Sequence, residues 1–374
     1  MEVEIWGLEF VCDLVHEIWE LVRTIVVAPL RSASVVCSYR ETCMKAVVFE
    51  RFGNPEEVLQ VRDVPAPPEP GPGEVRVRML ASPVNPSDLM YVRGVYGKQP
   101  ALPATPGFEG VGVVEATGSG LLAWRVRGKR VAVLNRATGN WREQVVVPAR
   151  QAIPVPADLP DEQAAAFFVN PASALVMTRY VLRVPAGAWL LQTAAGSALG
   201  RMVIRLGKHY GFRTLNVVRR REQAEELMRL GGTTVVCTAD ELLVDRVRTL
   251  TGQGVPCAID AVGGATGSDV VQCLAPGGRL LLYGTLSFEP IQFDPRVLMV
   301  GQRKIEGFWL TPWAAQQNVL TMLGLFRRLG KLFRAGVVTS EFGATYPLEQ
   351  VQDAVRHAAQ PGRQGKVLLR IQPR

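Results

Sequence analysis

The chain has 374 residues, 48% of them hydrophobic, with a formal net charge of +8: enough apolar material for two lobes, and no stretch that forces disorder. Its longest apolar region, within residues 5–30, is broken by Glu9, Asp13, Glu17 and Glu20, which argues against a membrane span, and an acidic start argues against a secretory signal. The six cysteines, at 12, 37, 43, 237, 257 and 273, form no C-x-x-C pair, so reduced thiols and a cytoplasmic location are expected.

Residues 1–43 carry three Lys/Arg and seven Asp/Glu, leaving a net +12 on the remainder. That charge favours anionic small molecules or an acidic partner; no basic-aromatic motif or DNA-reading helix points to nucleic acid. Residues 5–26 fit an amphipathic helix, with Trp6, Phe10, Leu14, Ile18, Leu21 and Ile25 at helical spacing. "MKAVVFERFG" at Met44 reads as a natural start, so residues 1–43 are taken as an extension, in origin upstream sequence rather than a partner-binding arm.

Residues 44–165 show short strands between Pro and Gly turns, as in "VPAPPEPGPGEVRVRML" and "WREQVVVPA", and predict a β-rich lobe. From 166 to 311 strands and helices alternate. "AWLLQTA" precedes a helix from about Leu199 with Leu199, Met202, Val203 and Leu206 on one face; "RTLNVVR", "TTVVCT", "CAIDAVGG" and "GRLLLYG" supply further strands. This predicts an α/β fold with a doubly wound parallel sheet. Residues 312–374 are expected to return to the first lobe through the helix "NVLTMLGLFRRLGKLF" and the strand "GKVLLRI". On that helix Arg327, Lys331 and Arg334 share one face, with Leu325, Leu329 and Leu332, or the neighbouring Phe326 and Phe333, opposite: a solvated face, or one that meets the phosphates of a coenzyme or an acidic carrier.

The turn "AAGSALG" (194–200) lacks the G-x-G-x-x-G spacing, yet its small residues let backbone N–H groups approach a pyrophosphate at a helix N-terminus. About twenty residues on, where an acid would read the ribose of NAD, stand Arg219, Arg220 and Arg221. A guanidinium cluster suits a 2′-phosphate, so NADPH is expected over NADH.

"PGFEGVGVV" (106–114), the altered glycine turn and the terminal "GKVLL" make residues 44–374 resemble the medium-chain dehydrogenase/reductase superfamily. The resemblance implies a GroES-like catalytic lobe and a Rossmann lobe. Its zinc members bind the metal through Cys, His and Cys; the corresponding positions here are Asn85, Phe108 and Asn170, so no metal is expected. "NPSDLMYVRGVYG" (85–97), "NPASAL" (170–175), "TLNVVRRR" (214–221) and "GFWLTPW" (307–313) are similar to the mitochondrial-type trans-2-enoyl-thioester reductases, which are related to quinone reductases.

From that resemblance Tyr96 falls at the proton donor. Cofactor contacts fall on Asn170, Gly196, Ser197, Ala198, Leu199, Arg219, Arg220, Arg221, Tyr283, Gly284, Thr285, Leu286, Phe308, Trp309, Leu310, Thr311 and Lys366. The implied activity is NADPH-dependent reduction of the double bond of an enoyl thioester carried by CoA or acyl carrier protein, by a homodimer. A quinone or alkenal reductase and a non-catalytic NADPH-binding protein are the alternatives. The histidines His16, His209 and His357 are expected to be surface or structural residues.

Overall fold

The computed structural model describes residues 43–372 apart from 98 and 136, so the segment read as an amphipathic helix lies outside the described residues. The chain forms two units. The first takes the chain up to Phe168 with Asn318–Leu323 and everything from Ser340; the second takes Val169–Gln317 and Gly324–Thr339.

The first unit is built on a seven-stranded sheet. Its main path runs Phe342–Pro347, Lys366–Arg370, Glu74–Val84, Glu109–Thr117, Arg130–Leu134, Ala152–Pro154, and Gln144–Pro148 pairs with Glu74–Val84 off that path. The long strand Glu74–Val84 begins by alternating: Val75, Val77 and Met79 are fully buried and pack with Val114, Val131, Val133, Val145 and Val147. Lys366–Arg370 lies antiparallel to the other end of that strand, with Val367 opposite Val84. That register carries Lys366, near the end of the sequence, to the start of the short helix Pro86–Val92.

The second unit is a six-stranded, wholly parallel sheet in the order Thr234–Cys237, Arg213–Val218, Trp189–Gln192, Val255–Asp260, Leu274–Leu282, Lys304–Gly307. Its central strands are apolar runs, as sheets covered on both faces require: Leu190, Leu191, Leu215, Ala258 and Ile259 have no exposed surface. The helix Ala198–Tyr210 buries Leu199, Met202, Val203 and Leu206 and stops at Gly211, which takes the left-handed φ of +78°. Strand order reverses between Trp189–Gln192 and Val255–Asp260, the switch point at which doubly wound sheets bind ligands.

Of residues 312–374, expected with the first lobe, 312–317 and 324–339 group instead with the second, while 166–168, expected with the second, group with the first. Arg205, on the helix Ala198–Tyr210, explains the placing of 324–339: its guanidinium donates to the carbonyls of Val337 (2.9 Å) and Thr339. In the helix Val319–Arg334, Leu325, Leu329 and Leu332 are buried while Arg327, Lys331 and Arg334 are exposed. Among the described residues no helix is long and apolar enough to cross a membrane.

Candidate active site

In the first unit the functional side chains gather around Asn85, the N-cap of Pro86–Val92. Its backbone N–H donates to Asp88 Oδ2 (2.8 Å), and Asp88 Oδ1 accepts from the Phe108 N–H (3.0 Å). The Asn85 side chain faces the other way, donating through Nδ2 to Glu109 Oε1 (2.9 Å) and accepting at Oδ1 from Lys366 Nζ (2.7 Å). Lys366 Nζ stands 3.8 Å from Glu109 Oε1. Asn85, Asp88, Glu109 and Lys366 are all buried. An interposed amide thus completes a buried ion pair, whose members would be costly to leave unpaired.

Burial pushes the Asp88 carboxyl up to about 7, against the two backbone N–H bonds that favour its charged form. Burial lowers the Lys366 ammonium, and the charges of Glu109 and Asp88 pull it the other way. Because Asp88 satisfies two buried backbone donors at once, an amide in its place would orphan one of them. Asp88→Asn is expected to lower stability by about 1–3 kcal/mol, and Asp88→Ala by more, as read from the urea midpoint at constant slope.

Tyr96 lies on the loop after that helix and is half-buried; its ring sits 5.5 Å from that of Phe108, tilted by 35°. Phe108 follows Gly107, whose φ of +101° and lack of a side chain are both required, since a Cβ there would fall 2.4 Å from Cδ1 of buried Trp141. The Trp141 indole donates to Ser82 Oγ (3.1 Å), which donates to the Glu109 carbonyl (2.6 Å). The segment 107–109 is therefore pinned on both faces of its strand.

In the second unit most of the residues expected at a cofactor fall at the C-terminal ends of parallel strands. Ala194 to Gly200 follow Trp189–Gln192, Arg219 to Arg221 follow Arg213–Val218, Tyr283 to Leu286 follow Leu274–Leu282, and Phe308 to Thr311 follow Lys304–Gly307. Ser197 caps the first helix, its Oγ accepting from the Gly200 N–H (3.1 Å). Gly200 allows the close approach expected of it: a Cβ would lie 2.5 Å from the Ala195 carbonyl oxygen. Arg219 and Arg220 are exposed, without an acidic partner among the described residues; Arg221 is also exposed and pairs with Asp240 (3.0 Å). Asn170 is half-buried on the helix Val169–Leu175, and Trp309 is exposed. Trp313, unassigned from sequence, packs edge-on against Tyr180 at 5.6 Å. Lys366 is the one expected cofactor contact in the first unit, where its ammonium is engaged by Asn85 and Glu109.

Sequence reasoning passed over Asp88, Glu109 and Asp260. Asp260 is wholly buried at the end of Val255–Asp260; Oδ1 accepts from Thr193 Oγ1 and the Val262 N–H (3.0 Å), and Oδ2 from the Gly263 N–H (2.8 Å). An acid closing an apolar run in "CAIDAVGG" was the available signal. Beside it the Tyr283 hydroxyl is buried without a hydrogen-bond partner, and burial raises its pKa. His209 sits in the last turn of Ala198–Tyr210 against Tyr210, and His357 Nδ1 pairs with the Tyr346 hydroxyl at 2.9 Å.

A dinucleotide phosphate fits this second unit on three observations: a turn of small residues entering a capped helix N-terminus, two exposed arginines without acids where a 2′-phosphate would fall, and the buried Tyr283 hydroxyl, without a hydrogen-bond partner, after the strand Leu274–Leu282. A metal ion finds no comparable donor set; among the described residues no group of three His, Cys, Asp or Glu is placed to hold one.

Residues 71–157 match the alcohol dehydrogenase GroES-like domain, and residues 198–326 match the zinc-binding dehydrogenase family. The mouse mitochondrial enoyl-[acyl-carrier-protein] reductase is 32% identical over 332 residues, 87% of this chain and 88% of that one. A Bacillus thuringiensis protein provisionally described as an NADPH:quinone reductase is 34% identical, with a TM-score of 0.83 over 88% of this chain and all of that one. Escherichia coli quinone oxidoreductase, solved with NADPH, is 25% identical with a TM-score of 0.80 over 87% of this chain and all of that one.

Proposed function

From the premise that the chain belongs to the medium-chain dehydrogenase/reductase superfamily, in its zinc-free branch, we propose that it reduces the carbon-carbon double bond of 2-enoyl thioesters with Tyr96 as proton donor. The chain is an oxidoreductase and its cofactor is NADPH. Residues 196–199 would receive the pyrophosphate, Arg219 and Arg220 the 2′-phosphate, and Asn170, residues 283–286 and residues 308–311 the remainder. Lys366 is kept in this assignment through its place beside Asn85. When bound, NADPH supplies the hydride that the β-carbon accepts.

The observation that carries the reading is the tilted ring contact of Tyr96 with Phe108, a phenol beside a position that holds a zinc ligand in the metal-dependent branch. Hydride arrival at the β-carbon drives charge onto the thioester carbonyl oxygen, and the product needs a proton at the α-carbon. A phenol, protonated at neutral pH, can meet either need without bringing charge of its own. The likeness to the mouse reductase supports the thioester as substrate.

A second reading, reduction of a quinone or alkenal, is favoured by the 34% identity to the Bacillus protein. A non-catalytic NADPH-binding role is the third. Steady-state NADPH oxidation with crotonyl-CoA, a quinone and an unsaturated aldehyde separates them: highest kcat/KM on crotonyl-CoA is expected, preference for the quinone would transfer the assignment, and no turnover on any would leave binding alone. In this reading the exposed Arg327, Lys331 and Arg334 meet the carrier's anionic groups, so KM for crotonyl-CoA should rise with ionic strength. The reading also carries a homodimer, supported by exposed Met299 and Val300 close to the edge strand Lys304–Gly307 and checked by the solution mass. The buried Cys237, Cys257 and Cys273 are free thiols, in keeping with a reducing compartment; the cytoplasm is the one proposed, whereas the mouse relative is named as mitochondrial.

A further inference from the structure

We propose that Phe108 is the positioning residue for Tyr96, fixing the direction of its hydroxyl; the inference rests on the reading of Tyr96 as proton donor. Tyr96 is carried on a loop between two glycines. Its neighbours Gly94 and Gly97 both take left-handed φ values, +76° and +61°, and the loop is tied back by the Val95 N–H to the Met90 carbonyl (3.0 Å) and by Gln99 Nε2 to the Gly94 carbonyl (2.9 Å). None of these bonds involves the Tyr96 ring.

Phe108, by contrast, is held from every side. Its N–H is bound by Asp88, and its carbonyl accepts from the Asn135 N–H (3.0 Å). Gly107 before it is jammed against Trp141, and Glu109 after it is engaged by Asn85 and, at its carbonyl, by Ser82. Its ring meets that of Tyr91 edge-on at 5.1 Å, and Tyr91 meets Phe49 edge-on at 5.8 Å. The contact at 5.5 Å thus joins a ring carried on a loop to one whose backbone is hydrogen-bonded on both sides. The position that holds a metal ligand in zinc members here orients the group that replaces the metal's task. Buried polar residues serve the ring at one remove: Asp88 holds Phe108, and Phe108 holds Tyr96.

The test is a double-mutant cycle on kcat in the full-length enzyme with NADPH and crotonyl-CoA, using Tyr96→Phe, Phe108→Leu and the pair. Phe108→Leu should lower kcat about 10- to 100-fold, the scale of a small misplacement of a catalytic group, with KM for NADPH unchanged. In the Tyr96→Phe background the same change should cost nothing further, because there is no hydroxyl left to aim. Multiplicative losses, or a wild-type kcat in Phe108→Leu, overturn the proposal. Wild-type kcat in Tyr96→Phe overturns instead the donor assignment on which it rests. Should Phe108→Leu fail to fold, Phe108→Met, whose unbranched, flexible side chain fills irregular space without a flat ring, carries the same cycle with the same outcomes.

Discussion

Replacing Tyr96 by phenylalanine is expected to lower kcat about 100- to 1,000-fold, the usual cost of removing one donor to a developing oxyanion, roughly 2.7–4 kcal/mol. The change deletes a single hydroxyl and almost no volume. The ring contact with Phe108 survives, because phenylalanine keeps the ring, and the Tyr91–Phe108 pair is untouched. NADPH affinity and the thermal midpoint should therefore stay at wild-type values while turnover falls. Single-turnover oxidation of NADPH on crotonyl-CoA reads this directly. A wild-type rate would move proton donation to another group, a bound water being the next candidate.

Arg219→Ala combined with Arg220→Ala should weaken NADPH about 10- to 1,000-fold while changing NADH far less, since only one of the two cofactors carries the 2′-phosphate for which these guanidinium groups are proposed as charge-assisted partners. The structure supports this pair over Arg221. Arg219 and Arg220 are exposed and have no acidic partner among the described residues, whereas Arg221 already donates to Asp240. Cations just ahead of the helix Glu222–Leu230 oppose its dipole, so their presence suits a bound anion better than the helix itself, whose first turn supplies Glu222 and Glu225. Dissociation constants from nucleotide fluorescence decide the matter: equal weakening of NADPH and NADH would mean that the arginines read something other than the 2′-phosphate.

Local pattern was enough for the parts of this protein whose physics is local. Apolar runs without alternation announced a parallel sheet, because only strands covered on both faces can be apolar throughout, and the sheet contains those runs as its central strands. Leu199, Met202, Val203 and Leu206 announced a buried helix face by spacing alone. The small residues of 194–200 and the three arginines were legible for the same reason: a strand end, a turn and a helix start are neighbours in sequence. The absence of the zinc ligands at positions 85, 108 and 170 was likewise legible, since it concerns side-chain chemistry rather than geometry.

What surrounds those positions was decided by sheet register. Lys366 reaches Asn85 across 281 residues because Lys366–Arg370 pairs antiparallel with the end of Glu74–Val84, and no local period encodes that pairing. The same register buries Glu109 and Lys366 beside one amide, turning a lysine expected simply as a cofactor contact into part of an internal ion cluster. Residues 324–339 joined the second unit through Arg205, a side chain more than a hundred residues earlier. The contact of Tyr96 with Phe108 spans only twelve positions, yet it too required the fold: the two rings meet because Asp88 and Asn135 hold the Phe108 backbone beside the loop that carries Tyr96, and hydrogen bonds between separate segments exist only once the chain has closed.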